Sequence, residues 1–264
     1  MLETVVAISI LLYLIAIGYL YLFQRTILFV NKFKVTPKSG FYIDNTWIET
    51  RDLNRSNAII YFGGNAQNNW VDIDLLKKEF PNSAILFMHY RGYGTSKDKP
   101  SQDAIFSDSL KLYDKIKDRY KTITTIGRSL GSGVAIYLAS KRRVDNLIVI
   151  TPYDSIANIA KFRYPIFPID LLIKDRFDSF KYAQKVNIKP LIILSEHDNI
   201  VPHSSSENLI KYFKSEPKVV TIDNTNHLDI MNNPKIYQVI REFIISIGAN
   251  KHKTESLKPK AQGF

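Results

Sequence analysis

Residues 122–133 read Thr-Ile-Thr-Thr-Ile-Gly127-Arg128-Ser129-Leu130-Gly131-Ser-Gly. The first five are all β-branched, the pattern of a short buried strand. From Leu130 onward the pattern turns helical and runs to residue 141. A serine in G-x-S-x-G between a strand and a helix is a nucleophile elbow. The turn is tight, so the positions two before and two after the serine must be small, and Gly127 and Gly131 both lack a Cβ. The serine oxygen is then pushed out over the sheet edge. It sits at a helix N-terminus, whose partial positive charge favours an oxyanion. The same residues would also suit a glycine-rich packing turn, but their place between strand and helix argues against it.

Working outward, short runs rich in Ile, Leu and Val read as strands at 57–62, 84–89, 146–151, 190–195 and 218–222. Helical candidates lie between them at 71–79, 102–120, 130–141, 204–214 and 234–247. The second of these puts Ile105, Leu112, Tyr113, Ile116 and Tyr120 on one side. Strands buried on both faces and separated by helices predict a mostly parallel sheet with right-handed crossovers. Residues 154–186 break the rhythm. They read as a small excursion over the C-terminal edge of the sheet followed by a helix.

A serine hydroxyl needs a base, and the base needs an orienting acid. In this architecture the chain order is serine, acid, histidine. His227 stands just after the last strand and Asp198 just after the strand before it, so their loops are expected to be neighbours at the ligand-binding edge. Asp154 is the reserve acid. His89 precedes the serine, the wrong order for the base, and reads as a core or loop-anchoring histidine. Glu196 and His197 flank Asp198 and are expected to shape its loop. The oxyanion needs two backbone N–H donors. Leu130 supplies one, and the loop Gly63-Gly64-Asn65-Ala66-Gln67-Asn68 the other, with Asn65 preferred over Gly64 or Ala66.

The N-terminus carries the second strong signal. Residues 4–24 hold no charge, and 5–23 are almost wholly apolar. A helix of this length matches a hydrocarbon core of roughly 30 Å. The start, Met-Leu-Glu, lacks the basic n-region of a cleaved signal. Tyr19 and Tyr21 fit a headgroup-level aromatic belt, whereas Tyr13 falls mid-run and does not. Arg25, Lys32, Lys34 and Lys38 follow, which favours a cytoplasmic catalytic domain. The expected organisation is an anchor over 1–25, a catalytic domain over 26–249 and a flexible basic tail over 250–264.

Composition sets the remaining bounds. The 264 residues include no cysteine, which excludes disulfides, thiolate metal sites and a cysteine nucleophile. The charge of +11 is spread along the chain and gathered at the anchor flank and tail, without a basic recognition helix, so nucleic acid is not an expected partner. The Gly63–Gly64 loop lacks the spacing of a phosphate cradle.

Taken together, residues 62–68, Tyr90-Arg-Gly-Tyr-Gly-Thr-Ser96, 127–133, 197–202 and His227 resemble the α/β-hydrolase superfamily. They are most similar to its membrane-anchored branch of bud-emergence-type and ABHD proteins. The resemblance spans about residues 40–248, and 175–178 fit the same branch. Where this branch usually carries His-Gly-Asn, the chain has Gly63-Gly64-Asn65. The resemblance implies a small cap and a serine hydrolase acting on an acyl ester or thioester, with the bilayer and an acyl-containing substrate as partners. Neither metal nor organic cofactor is called for. The stretch 164–173 would line an acyl pocket or pack as a cap helix. A serine peptidase and a non-catalytic tethered scaffold are the alternatives.

Overall fold

The computed structural model describes residues 1–30, 39–65 and 69–256. Its strands are β1 (Gly40–Ile43), β2 (Thr46–Arg51), β3 (Asn57–Phe62), β4 (Ser83–Met88), β5 (Thr122–Arg128), β6 (Asn146–Ile150), β7 (Leu191–His197) and β8 (Lys218–Asn226). They form one sheet in the order β1-β2-β4-β3-β5-β6-β7-β8. From β4 to β8 every pairing is parallel, while β1 and β2 pair antiparallel and β2 joins β4 antiparallel. The expected mostly parallel sheet is therefore present, with an added hairpin at one edge.

Helices cover both faces: α2 (Asn69–Glu79), α3 (Gln102–Ile116), α4 (Leu130–Lys141), α8 (His203–Ile210) and α9 (Pro234–Ser256). Alternation along β3 shows why both faces must be covered. Ala58, Ile60 and Phe62 enter the core shared with Leu112, Val134 and Leu209 of α3, α4 and α8. Ile59 and Tyr61 enter the opposite core with Leu76 of α2 and Ile240 of α9. The five residues anticipated on one side of α3 are all buried, although the helix stops at Ile116 and Tyr120 lies beyond it.

The excursion at 154–186 is more helical than anticipated, comprising α5 (Ile156–Arg163), α6 (Ile169–Leu172) and α7 (Ser179–Ala183). Ser155 caps α5 by accepting from the Asn158 N–H at 3.0 Å. At the C-terminus helix α9 runs to Ser256, into the stretch expected as a basic tail; residues 257–264 lie outside the described residues.

Helix α1 (Leu2–Leu28) is long and apolar enough to cross a membrane, and it fits a single-pass anchor. Leu2 to Ile15 are exposed on every side. From Ala16 a stripe of half-buried positions appears, through Leu20, Gln24 and Leu28, at the four-residue spacing of one helix face. That face packs on the cap. The helix ends against the core, where Phe29 is buried and meets Phe177 edge-on at 6.2 Å.

Candidate active site

The elbow is built as the sequence requires. Ser129 adopts φ 48° and ψ −120°, a strained conformation for a residue with a Cβ, between the end of β5 and the first turn of α4. Strands β7 and β8 are hydrogen-bonded neighbours, so the loops carrying Asp198 and His227 emerge side by side. His227 Nε2 lies 2.8 Å from Ser129 Oγ. Its Nδ1 lies 2.8 Å from Asp198 Oδ2 and 3.0 Å from Oδ1. This is the geometry of a base facing a nucleophile, with a carboxylate fixing the imidazole tautomer.

Asp198 is itself held in place. Its Oδ1 accepts from the backbone N–H groups of Val201 at 2.8 Å and Ile200 at 3.0 Å. Burial pushes its pKa up, but the hydrogen bond and charge of His227 and these two N–H groups outweigh burial. The carboxyl is therefore held below its usual range and stays ionised beside the imidazole. The reserve acid Asp154 is not brought to His227. It is buried and accepts from Ser155 N, Ser205 Oγ, Asn158 Nδ2 and Asn208 Nδ2, tying α5 to α8. His89 is buried with Nε2 3.0 Å from Glu49 Oε2, a core role. Glu196 shapes its loop by accepting from Asn224 N at 2.7 Å.

A mostly apolar cavity of about 370 Å³ opens above Ser129. Leu130 and Asn65, the residues expected to donate to an oxyanion, both line it; Ala66 to Asn68 lie outside the described residues. The Asn65 loop is pinned from three directions. The Tyr90 hydroxyl donates to Gly63 O at 2.7 Å, and Asn65 Oδ1 accepts from the Tyr93 hydroxyl at 2.8 Å and from Val30 N at 2.9 Å. These clamps were not readable beforehand, although the Tyr90 to Tyr93 stretch was the signal that could have suggested them. Tyr164, Ile169, Leu172 and Ile173 line the cavity, so the cap stretch is pocket wall as well as packing.

Arg128, the unconstrained second position of the pentapeptide, also has a defined task. Its buried Nη2 donates to His227 O at 2.7 Å and holds the histidine loop from below. Its charge is balanced in part by Asp72, which accepts from the Tyr61 hydroxyl at 3.1 Å. Burial raises Asp72 to about 6 against the counteracting Arg128 charge and Tyr61 hydrogen bond. The folded state then binds the Asp72 proton more tightly than the unfolded chain. The resulting stability is full below the unfolded value of 3.8 and is lost as pH rises through about 6. A shift of this size corresponds to about 3 kcal/mol across the window. Denaturation midpoints of wild type and Asp72→Asn, followed from pH 4 to pH 7, should therefore move in favour of the variant as pH rises. Parallel pH curves would remove this account of Asp72.

The sheet order, the elbow and the Ser129–His227–Asp198 arrangement define an α/β-hydrolase. Among solved structures the chain is similar to Est1E from Butyrivibrio proteoclasticus with ferulic acid bound, with a TM-score of 0.65 at 19% identity over 80% of this chain and 100% of that one. It is also similar to a Paleococcus ferrophilus monoacylglycerol lipase, with a TM-score of 0.58 at 15% identity over 76% of this chain and 99% of that one. These likenesses concern the fold alone. A family model described as serine hydrolase (FSH1) matches residues 65–228, and the chain belongs to that serine hydrolase family.

Protein bem46 of Schizosaccharomyces pombe is 27% identical over 275 residues, covering 88% of this chain and 89% of the relative. The lysophosphatidylserine lipase ABHD12 of Macaca fascicularis is 29% identical over 236 residues, covering 76% and 59%. An uncharacterized Mycobacterium tuberculosis protein is 27% identical over 167 residues, and the chain spans 59% of its length.

Proposed function

We propose that this chain is a membrane-anchored serine hydrolase that cleaves acyl esters or thioesters of lipids or acylated proteins. Ser129 attacks the acyl carbonyl, His227 takes its proton, and Asp198 holds the imidazole and stabilises the imidazolium that forms. The backbone N–H groups of Asn65 and Leu130 stabilise the tetrahedral oxyanion. His227 returns the proton to the leaving group, and water then resolves the acyl-enzyme with His227 as base. The observation that carries this reading is the unbroken hydrogen-bond chain from Ser129 Oγ through His227 to Asp198 at the floor of an apolar cavity. The name of the ABHD12 relative, a lysophosphatidylserine lipase, favours a single-chain lipid ester.

Covalent labelling by a fluorophosphonate in detergent tests it. Wild type should label and Ser129→Ala should not, with hydrolysis of a short aryl ester lost alongside. A folded wild type that neither labels nor hydrolyses would point to a tethered scaffold instead.

A further inference from the structure

Helix α1 does more than tether. Leu20, Gln24, Ile27 and Leu28 form one wall of the cavity above Ser129. The cap is locked to this helix along its length. Arg25 Nε donates to Asp175 Oδ2 at 2.7 Å, and Gln24 bridges Leu172 O and Lys174 N at 2.9 and 2.7 Å. Farther along, the Tyr13 hydroxyl donates to Ile166 O at 2.7 Å and its ring stacks on Phe167 at 5.6 Å. Tyr13 and Gln24 are about 16 Å apart along the axis, so the cap climbs well up the charge-free run.

Helix length then forces a choice. The part of α1 that lies before its first cap contact at Tyr13, Leu2 to Leu12, is about 16 Å long and too short for a hydrocarbon core of about 30 Å. Only by taking in the stretch alongside the cap does the span reach the required length, and the cap must then enter the leaflet with it. The cap tip is suited to that solvent. Residues 164–169 read Tyr-Pro-Ile-Phe-Pro-Ile, without a charge, and two prolines remove two N–H donors. Phe167 N and Ile169 N donate inside the tip, and Ile166 O takes the Tyr13 hydroxyl, so these polar groups are satisfied without water. Large apolar side chains face outward around it, with Phe162, Ile166 and Leu171 exposed at 72%, 70% and 84%, and the exposed Arg163 just before the tip has a stem long enough to carry its charge back to the headgroups. The charges Lys161, Asp170 and Arg176 pair with one another at the base. Tyr13, out of place in an aromatic belt, has its partner here.

We propose that the cap tip, residues 164–169, is immersed in the hydrocarbon beside α1, so that the cavity takes a single-chain lipid ester sideways from the leaflet, with α1 as part of its acyl-binding wall. The substrate clause rests on the hydrolase reading above; the immersion clause does not. The chain has no cysteine, so one introduced thiol can be labelled cleanly. Ile166→Cys carrying an environment-sensitive fluorophore, in phosphatidylcholine nanodiscs, should be quenched strongly by chain-borne spin-labelled lipid and weakly by aqueous iodide. Lys117→Cys, on the exposed side of the domain, should show the reverse. Iodide quenching at position 166 equal to that at position 117 would overturn the immersion.

For the wall, Leu20→Trp should lower the ratio of kcat/KM for a sixteen-carbon over a four-carbon monoacyl ester by about tenfold. Leu22→Trp, on the opposite, exposed side of α1, should leave that ratio alone. An unchanged ratio in Leu20→Trp would overturn the role of α1 in binding. Because quenching needs no turnover, a wild type that hydrolyses no ester would count against the hydrolase reading and leave the immersion to be decided by position 166.

Discussion

Asp198→Asn is expected to lower kcat on a short aryl ester by about 10⁴-fold while the fold and KM change little. The reason lies in the two hydrogen bonds at Asp198 Oδ1 and the contact of both carboxylate oxygens with His227 Nδ1. An ionised carboxylate can only accept, so Nδ1 must carry the proton and Nε2 must face Ser129 as an acceptor. Asparagine can turn its amide N–H₂ toward Nδ1, which places the imidazole proton on Nε2, where it cannot serve as base. Asp154→Asn gives the contrasting result. Its carboxylate accepts hydrogen bonds that join α5 to α8, so the substitution should cost stability, on the order of 1–3 kcal/mol. It should change kcat per folded molecule by less than tenfold. Steady-state kinetics normalised to folded protein by circular dichroism separate the two. A larger kinetic loss in Asp154→Asn than in Asp198→Asn would transfer the acid role.

Legibility in the sequence followed how locally each feature is determined. The elbow was readable because strand, turn and helix signals meet within a dozen residues, and β3 and α4 were located to the residue. Asp198 and His227, which the structure brings together with Ser129, stand out in the sequence by chain order and by their position at strand ends. The β1–β2 hairpin was not anticipated. β1 has four residues, and β2 buries Thr46, Glu49 and Thr50, polar side chains that hide a strand from any hydrophobic pattern. Their partners, His89 for Glu49 and Asp108 for Thr46, come from β4's end and from α3, far along the chain. The packing of α1 on the cap was hidden for the opposite reason. A helix apolar on every side carries no information about which side is covered. Tyr13, Gln24 and Arg25, polar side chains of the helix that find cap partners, record it.

Gly131→Ala is expected to abolish folding of the catalytic domain, with a loss of at least about 4 kcal/mol. A Cβ at this position would lie 2.0 Å from Phe62 O, 2.5 Å from Phe62 C and 2.7 Å from Gly63 O. These are backbone atoms at the end of β3, the central strand that is buried on both faces, and they cannot swing aside as a side chain would. The only relief is to lift the first turn of α4 away from the sheet. That would displace Leu130 and loosen the Ser129 turn, where Ser129 O accepts from Ser132 N at 2.9 Å. It would also part Leu130 from the loop of Asn65, the two residues proposed above to donate to the oxyanion. Gly133→Ala, one turn position further, is the control. Its Cβ would meet the Tyr153 hydroxyl at 2.4 Å, Tyr153 Cζ at 3.1 Å and Ser179 Oγ at 3.1 Å, side-chain rather than backbone atoms, so the buried Tyr153 ring must shift but no strand need move. Thermal denaturation and fluorophosphonate labelling of the two variants should therefore diverge. Gly133→Ala should retain a cooperative transition and labelling with a lowered midpoint, and Gly131→Ala should show neither. Equal midpoints would mean that the close approach of α4 to β3, rather than the glycine, is what the chain can give up. The strained Ser129 conformation would then have to be held by the β5 and β6 ends alone, through Ser129 N donating to Ile150 O at 2.9 Å.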